Sequence, residues 1–191
     1  MTDALTEYLL AELNDARCAV PFQFLGLQDA PEGKGLVLRA WQPAVDWVEV
    51  VDLEARRSLG RMTRVGDSDL FTKVLPRRRH AFPYRLRIGA GGRVREDDDP
   101  YQFRRSVFAR GAEDRNRLYR HFGAHVMALE GEGGREVAGV RFVVHAPAAR
   151  SVSVVGDFND WDGRRHVMRK RVDTGIWEIF VPGIDAGRVY K

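Results

Sequence analysis

Cysteine is almost missing from this chain. Cys18 stands alone, so no intrachain disulfide can staple the fold, and a single thiol suits a reducing cytoplasm. No stretch approaches the roughly 18 continuous apolar residues of a membrane span. The first seven residues are acidic and lack the basic and apolar blocks of a signal peptide. Histidine is sparse, and His121, His125, His145 and His166 are too scattered for a metal-ligand set. Gly131, Gly133 and Gly134 follow no strand and open no helix, so they form no phosphate loop. These gaps point to a cytosolic protein with no membrane segment, no metal and no cofactor.

What is present describes a soluble globular chain. The 191 residues are 44% hydrophobic and 30% charged, enough to bury a core in one large or two small domains. Basic residues number 31 against 27 acidic, a net charge of +4. The excess sits in short runs: Arg77–Arg78–Arg79–His80, Arg104–Arg105, and Arg164–Arg165–His166 through Lys170–Arg171. Neutralising nucleic-acid phosphates is one reading of them. The interspersed acids, Asp97–Asp98–Asp99 among them, and the lack of a basic helix favour arginines on the wet faces of strands.

The spacing of apolar residues predicts a helix over residues 2–17, where Leu5, Leu9 and Leu13 recur every four positions, ending before Val20–Pro21. A packed turn should follow at residues 21–26. Short runs at 36–41, 47–51, 61–65, 70–75 and 84–88 then read as strands of an antiparallel sandwich. The acidic run at 97–99 is a plausible boundary. Residues 106–122 read as a connector with a helical turn or two, and 130–136 as a flexible surface loop.

From Gly139 the chain repeats itself. Residues 35–43 align with 139–147, Pro43 matching Pro147 at an offset of 104, and Val48 and Val50 match Val152 and Val154. After a two-residue insertion the offset becomes 106, pairing Met62 with Met168, Phe71 with Trp177, Pro76 with Pro182, and Tyr84–Arg85 with Tyr190–Lys191. Strand residues, prolines and an aromatic stay in step over about fifty positions, which argues for a duplicated sandwich. The insertion falls in Gly156–Asp157–Phe158–Asn159–Asp160–Trp161, a loop that gains a tryptophan absent from the first copy. The first copy runs on from Tyr84 to Ile88, whereas the second stops at Lys191. The expectation is therefore a second sandwich lacking its last strands, in the front part of a longer protein.

These residues resemble a known family. Gly156–Asp157–Phe158–Asn159, Trp161–Asp162–Gly163–Arg164–Arg165–His166, Met168–Arg169, Gly175–Ile176–Trp177–Glu178, Pro182–Gly183 and Tyr190–Lys191 are similar to the glycogen-binding-type module (module 48) of bacterial 1,4-α-glucan branching enzymes. Pro21–Phe22, Leu25–Gly26, Pro76–Arg77–Arg78, Asp98–Asp99–Pro100–Tyr101, Leu118–Tyr119 and Gly123–Ala124–His125 resemble the extra N-terminal domain and linker of the longer members. Gln28 and His145 depart from the family pattern. The resemblance implies an all-β chain of two tandem immunoglobulin-like sandwiches. Its parts would be a helix (1–20), a first sandwich (21–100), a linker (101–135) and an incomplete glycogen-binding-type sandwich (136–191). It also implies a parent enzyme that cuts an α-1,4-glucan and rejoins it as an α-1,6 branch by retaining double displacement, using two carboxylates on a downstream (β/α)₈ barrel. This chain supplies no barrel and should be catalytically silent. The alternative is a free-standing glucan-binding or regulatory module.

The implied partners are α-glucan and the downstream barrel, with no nucleic acid and no membrane. In glycogen-binding relatives the loop tryptophan and the lysine after the tyrosine touch sugar, which maps onto Trp161 and Lys191. Trp161 could instead be a structural wedge. Asn159 of the same loop and Trp177 are further candidates, although Trp177 lies in an alternating strand that favours packing. Asp157, Asp160 and Asp162 lack the following bidentate Glu of a calcium loop and read as turn formers.

Overall fold

The structure is a computed structural model describing residues 4–33, 35–104 and 121–191. Helix α1 (Ala4–Asn14) is shorter than the expected 2–17, because the chain turns at Ala16 with φ 54° before reaching Pro21. Pro21 starts the short helix α2 (Pro21–Phe24), where a turn was expected; its ring fixes φ at a helical value and its missing N–H is no loss at a first position. No helix among the described residues is long and apolar enough to cross a membrane. The connector expected over 106–122 lies almost wholly outside the described residues.

The remainder is antiparallel sheet. In the first half, β1 (Gly26–Asp29), β2 (Leu36–Trp41), β6 (Leu70–Leu75) and β5 (Thr63–Arg64) form one sheet in that order. β4 (Arg57–Arg61), β3 (Trp47–Asp52), β7 (Tyr84–Ala90) and β8 (Arg93–Asp97) form the facing one. β3 and β7 alternate cleanly, turning Val48, Val50, Tyr84, Leu86 and Ile88 onto Leu38 and Phe71 of the other sheet. In the second half, β9 (Gly123–Glu130), β10 (Glu136–His145), β12 (Ile176–Pro182) and β11 (Arg169–Arg171) form a third sheet.

The repeat is reproduced to the residue. Leu36 pairs with Leu75 and Trp41 with Leu70; at offsets of 104 and 106 from these, Val140 pairs with Val181 and His145 with Ile176. Thr63–Thr72 likewise becomes Arg169–Glu178, and Asp52–Tyr84 becomes the Gly156–Tyr190 bridge. Even the close approaches recur: a Cβ on Gly35 would lie 2.4 Å from the Leu75 carbonyl oxygen, and one on Gly139 would lie 2.4 Å from that of Val181. Both positions therefore need glycine.

Two expectations change. Residues 123–130, placed in the linker, form β9, which pairs with β10 as β1 pairs with β2: Val143 faces Gly123 as Arg39 faces Gly26. That correspondence carries an offset of 97 rather than 104, so the sequence comparison missed both strands. Residues 152–155, which the repeat matches to the strand at 48–51, are extended but join their neighbours only around the bridges Ser153–Val167 and Gly156–Tyr190. A ladder needs a partner that continues alongside, and here each partner meets the segment at a single isolated bridge.

The halves share a core. Leu13, Cys18, Phe22, Phe24 and Leu25 from the N-terminal segment pack in one cluster with Trp41, Leu70 and Tyr101 and with Val140, Met168, Trp177 and Ile179 of the second sandwich. Burial raises the Cys18 thiol above its ordinary pKa. The arginine runs are not mere surface decoration. Arg78 pairs with the buried Asp52, Arg104 donates to the Leu27 carbonyl, and Arg169 reaches the buried Glu178 at 3.0 Å, the Arg104 carbonyl at 2.6 Å and the Phe22 ring face. Each guanidinium carries several directed donors on a rigid fork, which suits joining elements distant in sequence.

Candidate glucan-facing loop

The inserted loop is wound around one buried amide. Asn159, 2% exposed, accepts from the Gly156 N–H at 2.9 Å and donates to the Val154 carbonyl and to His166 Nδ1, each at 2.8 Å. Every polar atom of the side chain is thus used inside the loop. The backbone N–H groups of Asn159 and Trp161 both donate to the Gly156 carbonyl, closing the turn. Gly156 is required here, since a Cβ would lie 2.6 Å from the Phe158 ring and 2.5 Å from the Val189 carbonyl oxygen.

The two aromatics part company. Phe158 turns inward toward Phe142 and His166, with ring centroids at 6.4 and 5.6 Å. Trp161 is 50% exposed and follows Asp160 in the left-handed region, at φ 59° and 58°. Each such non-glycine residue costs about 1–2 kcal/mol, and such strain persists only where the surroundings over-determine it. Here the Asn159 network and the salt links below hold it.

His166 is neutral. Burial, and then the Arg165 charge, depress its pKa to about 4, so Nδ1 is free to accept from Asn159 and the proton sits on Nε2. Burial alone would raise the Asp162 carboxyl, but the Arg164 guanidinium (3.0 and 2.8 Å) and N–H (2.9 Å) bonded to it hold it below the ordinary range. Asp162 is thereby committed to its neighbour Arg164.

The loop also grips the other sandwich. Arg164 Nη1 lies 3.4 Å from Asp69, and Arg165 Nη2 donates to the Pro43 carbonyl at 3.0 Å. Nearby, Arg135 binds Asp98 with a two-pronged pair at 2.6 and 2.9 Å. Asp99 is buried and accepts from Tyr84 Oη at 2.5 Å and the Tyr101 N–H at 3.0 Å. Burial raises its pKa to about 6, against the pull of those two donors. The acidic run also clasps the two halves, through Asp98 and Arg135.

Of the predicted site residues, the structure brings two together. Lys191 exchanges backbone hydrogen bonds with Val155 (2.8 and 3.0 Å), one residue from the Gly156 carbonyl that anchors Trp161, so both are fixed to one short segment. Trp177 is elsewhere, 0% exposed in the core, its indole Nε1 donating to the Ala146 carbonyl at 3.0 Å. Lys170 lies over its ring at 5.4 Å as Arg64 lies over Phe71 at 4.4 Å, the same pair in both repeats. Trp177 is thus a core residue with no face open to a ligand, and Asn159 is the loop's internal brace. On sequence the Arg164–Arg165–His166 run is expected as wet strand-face decoration and as part of the family motif, not as a brace to the first sandwich, although its position three residues after Trp161 was the available signal.

Residues 121–191 match the family described as carbohydrate-binding module 48 (isoamylase N-terminal domain). Fold and match together define a tandem-sandwich protein whose second unit is of the carbohydrate-binding-module type. Residues 6–101 match the family described as alpha-1,4-glucan branching enzyme GlgB, N-terminal domain, and the chain belongs to that family. It is 43% identical over 176 residues to a protein of Roseobacter denitrificans named 1,4-alpha-glucan branching enzyme GlgB, and 41% identical over 176 residues to the protein of that name in Cereibacter sphaeroides. In both comparisons the match covers 90% of this chain and 23% of the relative, so the chain spans about a quarter of the length of these relatives.

Proposed function

We propose that this chain is the glucan-binding and positioning part of a 1,4-α-glucan branching enzyme, a glycosyltransferase of the α-amylase superfamily acting in the cytoplasm. The observation that carries the reading is Trp161: a half-exposed indole held in a strained backbone by a fully satisfied amide, with the Lys191 backbone bonded to Val155 of the segment that leads into the loop. An aromatic plane stacks on the apolar face of a pyranose while a neighbouring cation donates to its hydroxyls. Branching chemistry, retaining displacement between two carboxylates, belongs to a catalytic barrel and not to these sandwiches. The chain alone is expected to be silent in a branching assay, and branch formation by it would overturn that assignment.

Of the four tryptophans, Trp41 and Trp177 are buried and Trp47 is half covered beneath Arg61, which leaves Trp161 as the reporter. Titration with maltoheptaose should shift tryptophan emission in the native chain and leave a Trp161→Ala variant unchanged. An unchanged native spectrum, or the same response in both proteins, would sink the contact at Trp161.

A further inference from the structure

Between the sandwiches lies a cleft of about 540 Å³ that the contact at Trp161 does not account for. It falls within the roughly 300–1,000 Å³ of small-ligand pockets, which favour domain junctions. Arg85, Asp97 and Tyr101 from the first half face Asp160, Arg165 and Arg188 from the second across it. Asp160 on its rim is the residue immediately before Trp161, so the cleft and the exposed indole share one loop.

The wall chemistry selects the class of ligand. Four arginines and five carboxylates line the cleft. Several already neutralise one another, Arg85 with Asp98 at 3.2 Å and Arg95 with Asp97 at 2.6 Å. A phosphorylated ligand needs an uncompensated positive field, which this cleft lacks. No group of carboxylates and histidines suited to a metal ion occurs among the described residues. What remains is a dense, charge-balanced set of donors and acceptors with the Tyr101 and Phe158 rings among them, which fits a neutral polyhydroxyl chain.

The cleft is also built rather than incidental. Arg165, with a side chain 13% exposed, lines it and donates to the Pro43 carbonyl of the first half, and its Nε is buried without a partner among the described residues. Such an orphan donor is uncommon in a settled interior. The Asp98–Arg135 pair and the Arg164–Asp69 contact fix the spacing of the two walls.

We propose that a short α-glucan segment runs from Trp161 into this inter-sandwich cleft, so that the first sandwich forms part of the sugar-binding surface. This rests on the glucan reading above. The test is an amide chemical-shift titration of the 191-residue chain with maltotriose and maltoheptaose. Expected are shifts at Asp160, Arg165 and His166 together with Asp97 and Tyr101, saturating at the same sugar concentration as the Trp161 indole. Asp97→Ala and Arg188→Ala, both partly exposed and remote from the core, should weaken binding about three- to tenfold, while inorganic phosphate should move none of these signals. Shifts confined to Trp161 and Lys191, with native affinity in both variants, would overturn the cleft while sparing the Trp161 contact. No shift anywhere removes both, and a response to phosphate in place of sugar overturns the ligand class.

Discussion

In the first sandwich β3 lies between β4 and β7 as an interior strand of a four-stranded sheet; in the second, the equivalent residues 151–156 meet their neighbours at two isolated bridges. The inward residues are nearly the same, Val48 and Val152, Val50 and Val154, Met62 and Met168. What differs is the cover. Leu86 and Ile88 of β7 close the first core, both 1% exposed, whereas the second leaves an apolar groove of about 480 Å³ lined by Phe142, Val154, Met168 and Tyr190. The comparison teaches that an alternating apolar pattern encodes which side chains face inward, while ladder formation depends on a partner strand being alongside.

The second contrast lies in the turn after this strand. In the first copy the buried Asp52 accepts from the Ala55 N–H at 2.8 Å and pairs with Arg78, making a compact hairpin. The matching position in the second copy is Gly156, and the bracing role passes to Asn159. Removing the side chain at 156 makes room for Phe158, and the two extra residues carry Trp161 outward. One turn became a platform.

The equivalence of Phe71 and Trp177 can be broken most sharply by truncation. Each fills the centre of its sandwich, so Phe71→Ala and Trp177→Ala should each cost about 3–5 kcal/mol in chemical denaturation. A loss below about 1 kcal/mol at either site would end the equivalence. Hydrogen exchange reads the difference in closure. Amides of residues 152–155 should exchange at least on the order of tenfold faster than those of 48–51, because local opening there breaks fewer bonds. Equal protection would mean that the second sheet is as well formed as the first.

Acid titration separates two buried groups that act in opposite senses. His166 is held neutral with its pKa lowered from 6.5 to about 4, so the stability it contributes is present above pH 6.5 and is lost as pH falls toward 4. Asp99 has its pKa raised from 3.8 to about 6, so its contribution is full below pH 3.8 and is lost as pH rises through 6. Between pH 4 and 6 they partly cancel. Asp99→Asn should therefore make the melting temperature fall more steeply from pH 6.5 to 4 than in the native chain. A parallel profile would remove Asp99 from the balance. The smallest effect belongs to the cross-sandwich pair: Arg164→Ala should cost about 0.5–1.5 kcal/mol, since both partners are partly exposed. Its thermal shift should shrink but not vanish in an Asp69→Ala background, the remainder coming from the lost Asp162 pair.

Much of the fold was legible in the sequence because strand facing and pairing register follow short-range spacing. The matches of Leu36 and Leu75 with Val140 and Val181 could be read from two offsets before any coordinate was known. β1 and β9 escaped because their offset differs and because Gly26–Leu27–Gln28–Asp29 and Gly123–Ala124–His125–Val126 share little beyond the glycine. At the candidate site the loop was legible but the fates of its residues were not. Trp161 and Trp177 are both tryptophans of one motif, yet one is half exposed and the other wholly buried.

The sequence by itself determined the duplication, the strand register within each copy, the insertion that creates the Trp161 loop and the family resemblance that the matches then showed. Only the tertiary structure decided that Arg164 meets Asp69 and that Arg165 meets Pro43, contacts spanning 95 and 122 residues of chain. It likewise decided that the N-terminal segment fills the junction and that a charge-balanced cleft opens there. Periodicity is local and survives in a one-dimensional record. The placement of one sandwich against the other is set by surfaces that no spacing in the chain encodes.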